Sequence, residues 1–139
     1  MKKTLLFIFC LILAVNLQAN NTKDNHQVVK KKRVLIFTKN GLSLNGEKGF
    51  VHKNIPNSIK ALKEICKAEN INTDTSEDAS LFTEATLAKY DAIIFSNANN
   101  EVFDTEDQKA AFQNYIKDGG GFIAIHSANA VERDWPWYW

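Results

Sequence analysis

Three uninterrupted apolar runs, at residues 33–38, 92–96 and 121–125, constrain this chain more than any other feature of it. A strand with one wet face alternates apolar and polar residues. These runs do not alternate, and they are rich in branched residues, so the pattern predicts strands buried on both faces, as in a parallel sheet. A fourth, weaker run at residues 71–75 is polar at alternate positions and reads as a strand nearer an edge.

Helical patterns fill the intervals. Over residues 54–68, Ile55, Ile59, Leu62 and Cys66 fall at i, i+4, i+7 and i+11, one face of a helix. Pro56 suits its first turn, and Cys66 reads as a small core residue and not as a nucleophile. A short helical turn is expected around residues 84–88. Thr105 starts the next helix, with Gln108 as its capping-box partner. Ala111, Phe112, Tyr115 and Ile116 line its buried side, and Gly119 stops it in a left-handed cap. The order β-α-β-α-β-α-β implies right-handed crossovers and a doubly wound α/β sheet of about four strands. Internal repeats and low-complexity segments are absent.

The N-terminus reads as an export signal. Lys2 and Lys3 precede an apolar run at residues 5–15, and Leu17-Gln18-Ala19 ends in a small residue. This is the layout of a secretory signal peptide over residues 1–19, cleaved after Ala19. The run is shorter than the roughly 20 residues a spanning helix needs, so no stable membrane anchor is expected. Cys10 lies inside the apolar run and does not begin the mature chain, which argues against a lipoprotein. The implied location is periplasmic or secreted. Residues 20–32 are polar and read as a disordered tether, with residues 33–139 as the folded domain. The basic run at residues 30–33, in a chain of net charge +1, reads as a solvated lead-in to the first strand, without a nucleic-acid partner. After cleavage Cys66 is the lone cysteine, so a hydrophobic core must hold the fold without an internal disulfide.

Open α/β sheets bind ligands outside the carboxyl ends of their strands. The first strand ends at Lys39, Asn40 and Gly41, and a loop through Gly46, Gly49 and Phe50 leads to His52. The third ends at Asn97, Asn99, Asn100 and Glu101, and the fourth at His126, Ser127 and Asn129. His52 and His126 are therefore expected to face each other on one rim as acid/base groups. Asn97, Asn99, Ser127, Lys39 and Trp135 are the expected substrate contacts. Trp135, Trp137 and Tyr138 suit either a sugar-stacking platform or packing.

Other chemistry finds no support. Gly119-Gly120-Gly121 precedes a strand and so stops a helix, at the wrong end of the sheet for a phosphate loop. There is no GxGxxG, Walker loop or CxxC, so no cofactor is expected. Two imidazoles fall short of the three or four protein ligands of a zinc site, so no metal is expected. Ser127 lacks a G-x-S-x-G elbow. Asp74, Glu77 and Asp78 read as a solvated loop, and His26 lies in the tether.

Several segments together resemble one family. They are Gly49-Phe50-Val51-His52-Lys53-Asn54-Ile55-Pro56, Glu77-Asp78, residues 90–95, residues 119–128 ending in His126-Ser127-Ala128, and Asp134-Trp135-Pro136-Trp137-Tyr138. From about Arg33 onward the chain resembles the ThuA-like (trehalose utilisation) domain. The resemblance implies a flavodoxin-like, class I glutamine amidotransferase-like fold. True amidotransferases carry a nucleophilic cysteine after the strand corresponding to residues 122–125; here His126 stands there, so glutaminase activity is not expected. The family context implies a small-molecule sugar, trehalose or a keto-sugar, as partner. The alternative is a non-catalytic carbohydrate-binding or protein-interaction module. The family domain continues past the Trp-Pro-Trp-Tyr stretch, so the chain is expected to be C-terminally truncated. The sequence sets no oligomeric state.

Overall fold

The computed structural model describes residues 30–139. The expected leader (1–19), most of the expected tether (20–32) and His26 lie outside the described residues. The elements run β1 (Arg33–Phe37), α1 (Ile55–Ala68), β2 (Asn72–Ser76), α2 (Glu84–Leu87), β3 (Ala92–Ser96), α3 (Glu106–Lys117) and β4 (Gly121–Ile125). Two 3₁₀ turns, Ala79–Leu81 and His126–Ala130, were not anticipated. The four strands form one parallel sheet in the order β2-β1-β3-β4, consistent with a flavodoxin-like fold. The weak strand β2 is at an edge, as its polar alternation predicts.

The unbroken apolar runs are explained by two cores on opposite faces. Leu35, Phe37, Ile93 and Phe95 meet Phe82, Leu87, Phe103 and Phe112 on one face. Their rings interlock edge to face, with Phe82 4.9 Å from both Phe37 and Phe103. Val34, Ile36 and Ile94 point the other way, onto Ile59 and Leu62 of α1. Cys66 is buried on that helix as a free thiol.

β4 departs from expectation. It is the outer strand, and Ile123 is 50% exposed. The α1 face of the sheet is packed over β2 and β3, so β4 is covered well only on its Phe122 side. An apolar run thus overstates the burial of an edge strand. The α3 cap also differs in detail: Thr105 Oγ1 accepts from the Gln108 amide, but Gln108 Oε1 accepts from the amide of Asp104, not of Thr105. Gly119 takes the left-handed conformation expected of it (φ +93°).

Candidate functional site

The carboxyl ends of β1, β3 and β4 build one rim. Pairing continues past the strands through a bridge between Asn40 and Asn99, with the Gly41 amide donating to the Asn99 carbonyl at 2.9 Å. This carries the β1–α1 loop across the end of β3. A Cβ on Gly41 would collide with the Glu101 carbonyl, and one on Gly49 with the Asn100 amide group. Both glycines permit close approach of loop and rim.

His52 ends this loop and His126 follows β4 directly. Their rings lie edge to face at 4.5 Å, so the two residues expected to meet do meet. Phe50 also packs edge to face on His52, at 4.9 Å. Among the described residues neither imidazole has a hydrogen-bond partner within the protein. Both are open to a ligand.

The rim backbone is unusual. Asn97, Asn100, His126 and Glu132 all have positive φ, between +53° and +62°. Asparagine and histidine are over-represented in this region, glutamate is not, and every L-residue enters it at a cost. Such outliers cluster where geometry serves a site. Buried oxygens without a protein partner, Thr38 Oγ1, Asn40 Oδ1 and Ser127 Oγ, fall at the ends of β1 and β4 on the same edge.

The remaining expected contacts are placed as follows. Lys39 sits on the rim with its ammonium paired to Asp104. Asn99 is held in the scaffold: its Nδ2 donates to the Phe50 carbonyl at 3.1 Å and its Oδ1 accepts from the Asn100 amide at 3.0 Å. Asn97 is buried, its Nδ2 donating to Ser96 Oγ, which in turn bonds Ser58 of α1 at 2.6 Å. Ser127 follows His126 at the end of β4, its hydroxyl oxygen buried and without a protein partner. Trp135 packs against the main core, on Phe103, Trp137 and Tyr138; none of its aromatic contacts is a histidine. Asp78 is a loop residue, as expected, and caps the first 3₁₀ turn through the Ser80 amide. Asp74 pairs with Arg33 on the sheet edge, which holds its carboxyl below the usual range.

Sequence reasoning missed Glu132. This carboxylate is fully buried. Its Oε1 accepts from the amides of Val102 and Phe103 at 2.7 and 2.9 Å, and its Oε2 lies 3.3 Å from Lys109 Nζ, a charge contact without good hydrogen-bond geometry. Burial and the neighbouring Glu132 charge hold the Glu101 carboxyl above its usual range. No local pattern marks Glu132, because both of its amide partners lie about 30 residues away.

A cavity of about 770 Å³ opens at the other end of the sheet, between α2 and the C-terminus of α3, lined by Leu87, Tyr90, Asp91 and Tyr115. It lies far from the rim chemistry. Among the described residues no group of three or more His, Cys, Asp or Glu is arranged to hold a metal, and no helix is long and apolar enough to cross a membrane.

A family model described as ThuA, trehalose utilisation, matches residues 33–139. A solved ThuA-like protein from Bacteroides uniformis ATCC 8492 is similar in fold, with a TM-score of 0.59 and 20% sequence identity; the match covers 78% of this chain and 43% of that one. No curated protein matches.

Proposed function

The chain belongs to the ThuA, trehalose-utilisation family, and on that premise we propose that it acts on a sugar, trehalose or a keto-sugar, at the rim built by β1, β3 and β4. The observation that carries this reading is the His52–His126 pair, 4.5 Å apart, with His126 in a left-handed turn directly after β4. Imidazole exchanges protons near neutral pH. One ring removes a proton from a sugar hydroxyl, or from the carbon beside a carbonyl, while the other supplies one. Lys39, at the end of β1, is the charged group on this rim that could orient the sugar hydroxyls, and Ser127, next to His126, adds a hydroxyl with no protein partner. Asn97 and Asn99 contribute by holding the rim.

The same reading excludes glutaminase chemistry. Histidine stands where that mechanism needs a thiolate, and Cys66 is buried on α1. Export to the periplasm or beyond rests on the leader pattern of residues 1–19.

Proton NMR of trehalose and a keto-disaccharide incubated with the protein tests the proposal. Turnover is expected for the wild type and is lost in His126→Ala and His52→Ala. Unchanged turnover in His126→Ala overturns it. One observation favours a second reading, a sugar-binding module without catalysis: no carboxylate among the described residues orients either imidazole. Binding without turnover by the wild type is its signature.

A further inference from the structure

We propose that Phe50 is the stacking platform of the site, receiving the C–H face of a pyranose ring beside the histidine pair. This deepens the sugar reading above and rests on it. Phe50 is 67% exposed, although a phenyl ring gains by leaving water. The same loop also exposes Leu42, Leu44 and Val51. Exposed apolar surface bordering polar groups marks a binding face.

The exposure is held in place. The Phe50 carbonyl accepts from Asn99 Nδ2, Gly49 sits against the Asn100 amide so closely that a Cβ would collide, and Asn100 Nδ2 donates to the Gly41 carbonyl at 3.2 Å. Two rim asparagines therefore fix the backbone on which the ring is mounted. The ring borders the chemistry, since Phe50, His52 and His126 form a ladder of edge-to-face contacts at 4.9 and 4.5 Å. A pyranose presents a face of C–H groups, with hydroxyls around its edge. An aromatic face beside two open imidazoles matches both features, as small-molecule sites combine apolar walls with a few polar anchors. The other large exposed aromatic residues, Trp137 and Trp139, belong to a different cluster: Trp137 meets Phe112 edge to face and lies tilted against Trp135, and Trp139 Nε1 donates to the Glu132 carbonyl.

Calorimetry and saturation-transfer NMR with trehalose, on the wild type, Phe50→Ala, Phe50→Trp and His126→Ala, provide the test. Phe50→Ala is expected to weaken binding about tenfold, which corresponds to about 1.4 kcal/mol, with unchanged circular dichroism. Phe50→Trp is expected to stay within about threefold of the wild type, since it keeps the aromatic face. Saturation transfer should be strongest at the C–H protons of one ring face. Phe50→Ala binding as well as the wild type, while His126→Ala is impaired, overturns the platform and leaves the sugar site standing. If the wild type binds neither trehalose nor a keto-disaccharide, the sugar reading fails and the platform with it.

Discussion

The left-handed backbone at His126 can be measured directly by replacing the residue with glycine and with alanine. At φ +62° an L-residue carries a cost of about 1–2 kcal/mol, which glycine does not. His126 is exposed, and its recorded ring contact is the edge-to-face pair with His52, a loss of about 0.5–1.5 kcal/mol on truncation. Alanine loses the ring and keeps the strain, so His126→Ala should be destabilised by about 1 kcal/mol. Glycine loses the ring and relieves the strain, offset by about 0.5–1 kcal/mol of added freedom in the unfolded chain, so His126→Gly should lie near the wild type. The two variants then differ by about 0.75 kcal/mol in favour of glycine, the reverse of an ordinary position, where glycine is the less stable. With a urea slope of about 1–1.5 kcal/mol per molar, the unfolding midpoints separate by roughly 0.5–0.75 M. Turnover should be absent from both. A glycine variant no more stable than the alanine variant would refute strain at this position, and a glycine variant that turns over substrate would refute the role of the imidazole.

Three further outcomes are expected. Glu132→Ala leaves two buried amides without an acceptor, about 1–3 kcal/mol each, whereas Glu132→Gln keeps an oxygen for them; urea unfolding should rank alanine well below glutamine, and equal losses would contradict the assigned bonds. Because Glu101 has a raised carboxyl pKa in the folded state, from burial first and the Glu132 charge second, its protonated form stabilises the fold below the ordinary glutamate range, and that contribution is lost as pH rises through the raised value. Glu101→Gln should flatten this stretch of the stability–pH curve, with Lys109 and the Arg133 amide as the opposing partners; an unchanged slope would remove Glu101 as its source. Mass spectrometry of the exported protein should find a chain beginning at Asn20, and a retained Met1 would contradict cleavage.

Much of the fold is legible because it depends on local pattern. β3 and β4 begin and end where their apolar runs do, and β1 to within one residue. The face of α1 follows from the spacing of Ile55, Ile59, Leu62 and Cys66, and Thr105 and Gly119 bound α3 by chemistry that acts within a few residues. What a run of apolar residues does not encode is the neighbour of the strand. β3 and β4 read alike, yet β3 lies between two strands and is buried on both faces, while Ile123 of β4 is half in water.

The site divides along the same line. That His52 and His126 would meet follows from topology, since parallel strands deliver all their carboxyl ends to one edge. How the rim is held does not follow, because the holding bonds join residues distant in sequence: Asn99 to Phe50, Asn100 to Gly41, and Glu132 to Val102 and Phe103. This inverts the plain reading of a polar rim. The amides of Asn99 and Asn100, obvious partners for sugar hydroxyls, are taken up in fixing the loop, and that of Asn97 is buried against Ser96. Beside them the rim presents the His52 and His126 imidazoles and the exposed Phe50 ring. The buried Glu132 carboxylate ties its own left-handed turn to the Val102 and Phe103 amides, and the left-handed turn at His126 is closed by Asn129, whose Nδ2 donates to the His126 carbonyl.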